Sequence, residues 1–195
     1  VIKTHIKPEI RILGIDDSPL VSDKIMVIGA LMRGGDWLEG VLRTYIDKDG
    51  MDATIRIVDM VESSKHLGQI RAIMLNGVTF GGFNVVDIQK LYEKVHIPVI
   101  VIMRDLPDME KIKKALKNLN HGDVRYRIIS GAGTTESVKT QKRGKPVYIQ
   151  YAGISCQDAK DIVIASSTHS RIPEPVRVAH LIATGIILGE SKKRA

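Results

Sequence analysis

Three apolar runs near the start of the chain are joined by connections too short for a crossover, and that spacing fixes the first part of the fold. Residues 10–15 form a nearly continuous apolar run that reads as a buried strand, ending in Gly14-Ile-Asp-Asp-Ser18-Pro19. A second strand is expected over 25–31, and a third over 38–46 after Arg33-Gly-Gly-Asp36. Parallel neighbours need about a dozen or more connecting residues, so these three strands are expected to form an antiparallel meander. Residues 1–9 read as irregular or as an edge strand.

The pattern then changes. Asp49-Gly-Met-Asp52 reads as a turn into a helix with Ile57, Val58 and Val61 on one side. A short strand is expected over 72–75, ending at Asn76-Gly77. A helix follows Phe80-Gly-Gly-Phe-Asn84 and carries Val85, Ile88, Leu91, Tyr92 and Val95 as its apolar stripe. Residues 97–103 read as a strand, 107–119 as a helix, and 124–129 and 147–151 as strands around a basic loop or hairpin tip at 134–145. Helices over about 155–166 and at the end complete the chain. Alternation of strand and helix calls for parallel pairing with right-handed crossovers. The expected fold class is therefore α/β, a mixed sheet of three antiparallel strands followed by parallel strands with helices on both faces, in one domain over 1–195.

Composition narrows the partners. The chain has 195 residues, 44% hydrophobic, with no apolar run of membrane-spanning length and no signal-peptide pattern, so a cytoplasmic protein is expected. Cys156 is the only cysteine, which excludes an internal disulfide and a cysteine zinc site. Lys plus Arg number 29 against 22 for Asp plus Glu, an excess that suits a nucleic-acid partner through release of counterions from phosphates. Lys139, Lys142, Arg143 and Lys145 concentrate it, as do Lys192, Lys193 and Arg194. Aromatic residues make up only 4%, which argues against a stacking platform for single strands.

Ligands of such a sheet gather at the carboxyl ends of its central parallel strands. Asp16 or Asp17 ends the first strand and Asn76 the fourth; successive strand side chains point to opposite faces, so only one of the two acids should face a given cleft. Two-metal phosphodiester hydrolysis needs carboxylates converging on ions about 3.5–4 Å apart. Asp16, Asp52, His180 and Glu174 have suitable donors, whereas Asn76 brings an amide where a charge would help most. Taken singly, each acid reads as a turn or cap residue, and Asn84-Val-Val-Asp87 as a helix cap with its partner acid. No Walker lysine loop, complete dinucleotide loop or Gly-x-Ser-x-Gly elbow is present. No nucleotide, flavin or haem cofactor is expected.

The last helix opens with Arg171-Ile-Pro-Glu-Pro-Val-Arg-Val-Ala-His180. Pro173 and Pro175 pre-set φ where amide groups lack intrahelical partners, and Glu174 faces the positive end of the helix dipole. Arg177, His180 and Thr184 form a polar strip beside an apolar one. On its own the segment reads as a capped terminal helix with a surface histidine.

That segment strongly resembles the Arg-Ile/Leu-Pro-Glu-Pro-Thr-Arg-x-Ala-His/Asp signature of endonuclease V. Gly14-Ile-Asp16 is similar to the Gly-Val-Asp of its first strand, and Asn76-Gly77 stands where its Asp-Gly ends the fourth. Gly14-Ile-Asp-Asp-Ser18, Gly50-Met-Asp52-Ala-Thr and Gly82-Phe-Asn-Val-Val-Asp87 look more like an archaeal family, of unassigned activity, related to endonuclease V. The resemblance implies a ribonuclease H-like fold and Mg²⁺- or Mn²⁺-assisted hydrolysis of DNA or RNA. It implies Asp16, Asn76 and Asp52 as metal ligands and Asp16, Asp52 and His180 as catalytic residues. Asp17, Glu174, Arg177, Asp87 and Arg104 are expected to line or support the cleft. The Pro-Tyr-Ile-Pro wedge of endonuclease V is absent, so its inosine specificity does not carry over. A non-catalytic nucleic-acid-binding or interaction module on the same fold is the alternative, and hydrolysis of a smaller phosphate ester a third reading.

Overall fold

The computed structural model describes residue 7, residues 9–142 and residues 144–191. Residues 1–6, Arg143 and the basic tail at 192–194 lie outside the described residues, so the expectations for them carry no structural account.

The opening meander forms as expected. β1 (Arg11–Asp17), β2 (Lys24–Arg33) and β3 (Trp37–Asp47) pair antiparallel, with a bulge in the β2–β3 register between Leu31 and Met32. After α1 (Ala53–Glu62) the chain enters β4 (Ala72–Asn76), parallel to β1. A two-stranded hairpin, β5 (Thr79–Phe80) and β6 (Asn84–Val85), leads into α2 (Ile88–Val95) and then β7 (Val99–Met103), parallel to β4. α3 (Met109–Leu116) and α4 (Gly122–Ser130) precede β8 (Glu136–Val138) and β9 (Val147–Ala152); α5 (Cys156–Ala165) and α6 (Glu174–Leu188) end the fold. The seven-stranded sheet runs β3-β2-β1-β4-β7-β9-β8.

Three expectations are corrected. Val85 belongs to β6, and the helix after it starts only at Ile88, capped by Asp87. Residues 124–129 are helical, not a strand, because Arg125 and Ile129 bury one turn apart on a common face; the Val-Arg-Tyr-Arg alternation mimics a two-residue period. The later strands are not all parallel: β9 returns antiparallel to β7, and the basic segment closes a β8–β9 hairpin. With both helices of that interval spent before β8, a short hairpin connection dictates antiparallel pairing.

Side-chain alternation on β1 divides the interior into two layers. Leu13 and Ile15 pack with Ile57, Val61, Ile88 and Leu91 of α1 and α2. Ile12 faces the other way, toward Ile162 and Val163 of α5 and Val176 of α6, while Met26, Ile28 and Ala30 of β2 meet Ala179 and Ala183. The helices thus cover both faces, each side burying an apolar stripe worth about 25 cal/mol per Å² removed from water.

Candidate functional site

α6 is brought against β1 by an absent side chain. A Cβ on Gly14 would fall on the backbone of Pro175 and Val176, so only glycine lets the first turn of α6 lie on the strand. From that contact, four residues along a helix advance about 6 Å and two along a strand about 6.6 Å. The match carries His180 to Asp16, whose Oδ2 lies 2.7 Å from His180 Nδ1. Asp16 is 2% exposed, and its Oδ1 accepts the amide of Asp17 at 3.0 Å. A carboxylate only accepts, so Nδ1 donates in this bond.

Asn76 completes the edge. The parallel register pairs Gly14 with Met74 and Ile15 with Leu75, which sets Asp16 beside Asn76 one step further, both pointing to the α6 side. Two buried polar atoms nearby have no hydrogen-bond partner: His180 Nε2 and, one turn along α6, Thr184 Oγ1. Orphaned buried groups are rare in folded proteins, and two lie together here; a third, His66 Nδ1, stands elsewhere.

The rest of the 171–180 segment holds the helix in place. Glu174 is buried and takes two Arg177 nitrogens, Nε at 2.8 Å and Nη2 at 2.6 Å. That bond holds the Arg177 guanidinium above its ordinary pKa. Arg171 donates to the carbonyls of Arg104 and Pro146, both at 3.2 Å, tying the ends of β7 and β9 to the entry of α6. Glu174 and Arg177 therefore support the site by fixing its helix.

Asp17 points to the opposite face, where its Oδ2 accepts the Gly81 amide at 2.6 Å. Burial, then the neighbouring Asp16 charge, pushes its carboxyl up to about 7.

The structure engages Asp52 elsewhere. Its Oδ1 accepts Asn84 Nδ2 at 2.7 Å and the Asp47 amide at 3.1 Å, and its Oδ2 faces Arg56. Burial acts to raise its pKa, but the bonds from Asn84, the Asp47 amide and Arg56 outweigh it and hold the carboxyl below its usual range. Asn84 in turn accepts the Ala53 amide at 2.9 Å, capping α1. Asp87 caps α2 by accepting the Lys90 amide at 3.0 Å. Sequence reasoning missed Arg125: buried in α4, it donates to the carbonyls of Asp49, Gly50, Phe83 and Asn120 and locks these turns together. No pattern in the sequence marks it, since its partners are all backbone. Lys139, Lys142 and Lys145 are exposed on the β8–β9 connection.

Asp16 and Asn76 present a carboxylate and an amide on one face, the oxygen-donor types that a hard cation takes. Among the described residues no group of three His, Cys, Asp or Glu side chains is arranged to hold a metal, so an ion here would take fewer than three such ligands from the protein. Asp16, Asp52 and His180 are thus not brought together as one ligand set.

A family model described as endonuclease dU matches residues 8–187. A UPF0215 protein of Methanosarcina acetivorans is 56% identical over 98% of this chain and 97% of its own length. The crystal structure of an Archaeoglobus fulgidus protein of unknown function superposes with a TM-score of 0.81 at 44% identity, covering 90% of this chain and 97% of that one. Endonuclease V of Ciona intestinalis, solved with DNA containing inosine, gives a TM-score of 0.61 at 14% identity over 92% of this chain and 86% of that one. The endonuclease V-like, ribonuclease H-type fold expected from the sequence is therefore the observed one. Among the described residues no helix is long and apolar enough to cross a membrane.

Proposed function

Because the chain belongs to the endonuclease dU family, we propose that it hydrolyses a phosphodiester bond of nucleic acid at Asp16, Asn76 and His180. The family description makes DNA carrying deoxyuridine the first substrate to try. The observation that carries this reading is the 2.7 Å bond between Asp16 and His180, which holds a nearly buried carboxylate at the carboxyl edge of β1 beside β4. Ligands of open α/β sheets bind at that edge.

Each residue has a part. Asp16 supplies the negative charge that draws a cation or a reacting proton to the edge. Asn76 offers an amide oxygen on the same face, together with an N–H for a phosphate oxygen. His180 fixes the orientation of Asp16 through Nδ1, and the basic excess of the chain favours a polyanion. A single Mg²⁺ or Mn²⁺ held by Asp16 and Asn76 would stabilise the charge that develops on the phosphoryl oxygens. Action in the cytoplasm belongs to the same reading.

The test is cleavage of labelled DNA with and without deoxyuridine by wild type and Asp16→Asn, in Mg²⁺ and in Mn²⁺. Wild type should cut and Asp16→Asn should lose at least about 100-fold, the usual scale for removing a positioned catalytic group. Equal cutting by both proteins would refute the assignment of the site. A second reading, binding without chemistry, is favoured by Asn76 at the fourth-strand position, which leaves the edge one carboxylate. It predicts nucleic-acid binding that is indifferent to EDTA and no cleavage of any substrate.

A further inference from the structure

Between β7 and β9 the chain forms two helices that bury little. α3 buries only Leu116 among its eight residues, and α4 only Arg125 and Ile129 among nine. Met109, Ile112 and Tyr126 rest partly buried against the core. The outward surface of this hairpin is cationic: Lys111, Lys113, Lys114 and Lys117 are all exposed. The pairs 111/114, 113/117 and 114/117 stand three or four residues apart, where like charges repel and destabilise the helix. A helix with one buried side chain gains no stability from such a row.

The neighbouring acids leave much of that charge uncompensated. Asp108 caps α3 and lies 3.0 Å from Lys111, and Asp123 lies 3.8 Å from Arg127. Lys114 and Lys117 make no salt bridge among the described residues. A groove of about 640 Å³ between the helices is lined by Lys113, Lys117 and Arg127 with one acid, Asp123, and by Leu116 and Tyr126. Lys113 sits over the Tyr126 ring, 5.6 Å from its centre.

α3 starts six residues after β7 ends, and β7 pairs with β4 up to Asn76, so the hairpin leaves the sheet at the carboxyl edge of the parallel strands, packed on the α1–α2 face opposite the one toward which Asp16 and Asn76 point; a strand that follows this edge passes both.

We propose that α3 and α4 form a nucleic-acid-binding arm, whose lysines neutralise backbone phosphates of a strand reaching past the Asp16 edge. The inference rests on nucleic acid as the partner. It does not require that the protein cut it.

The experiment is equilibrium binding of a labelled DNA duplex across a salt series, using the full chain. In the variant Lys113→Ala/Lys114→Ala/Lys117→Ala, alanine is the best helix former, so α3 is retained and a circular-dichroism melt checks it. Affinity should fall at least tenfold at low salt, and the slope of log K against log salt should become shallower by about 0.9 for each phosphate no longer neutralised. Lys139→Ala/Lys142→Ala/Lys145→Ala serves as the charge-matched control and should lose less. Unchanged affinity and slope in the α3 variant would overturn the arm, as would wild type that binds no DNA. So would polyglutamate that competes as well as DNA does, since an acidic protein would then fit equally. Loss of binding in the α3 variant alongside inert wild type supports the arm and removes the nuclease reading; wild-type binding in that variant alongside cleavage that needs Asp16 does the reverse.

Discussion

Asp16 and Asp52 each lie two residues after a glycine in the sequence, yet the fold treats them oppositely. Asp52 sits in a cross-linked region: Asn84 bridges it to α1, and Arg125 bridges the same turns to α4. Asp16 is held by one histidine whose other ring nitrogen is buried without a partner, with a second orphan at Thr184. Satisfied acids are structural members. An acid whose surroundings remain unsatisfied is poised to accept something else.

The largest expected effect comes from breaking the docking that creates the Asp16 region. Gly14→Ala puts a methyl group on the Pro175 backbone and should destabilise the fold by about 3 kcal/mol or more, read by urea denaturation; a loss under about 1 kcal/mol would mean that α6 can shift freely. Next, Arg125→Met on the opposite side leaves four carbonyls without their donor and should cost about 2–3 kcal/mol. Asp52→Ala should cost about 1–2 kcal/mol while cleavage per folded molecule stays at wild type, which separates a structural acid from a reacting one.

The last effect is in pH dependence. Asp17 is pushed up to about 7, so the folded protein retains a proton that the unfolded chain releases near pH 4. The stability from this group is fully present below about pH 4 and is lost as pH rises toward 7. Asp17→Asn should flatten that part of the stability profile, measured as melting temperature against pH. An unchanged profile would show that Asp17 ionises normally.

The meander, the mixed sheet and the start of the last helix were legible because strand runs, short turns and the Pro-Glu-Pro opening are local patterns. The alternation rule also separated Asp16 from Asp17 correctly, since β1 is regular to its end. The role of Asp52 was only partly readable from sequence: Asp47 and Arg56 are local partners, but Asn84, 32 residues away, leaves no local signal. The same holds for Arg125, whose apolar surroundings and period-two neighbours imitated a strand. Thr184 was visible as the continuation of the His180 strip, but its burial follows only from how α6 meets the sheet.

The most direct measurement of the central claim is the cleavage rate of Asp16→Asn beside that of Asp52→Asn on deoxyuridine-containing DNA, each normalised to folded protein. Loss of at least about 100-fold in Asp16→Asn with Asp52→Asn near wild type is the predicted result. Equal losses in both variants, or a loss confined to Asp52→Asn, would contradict it.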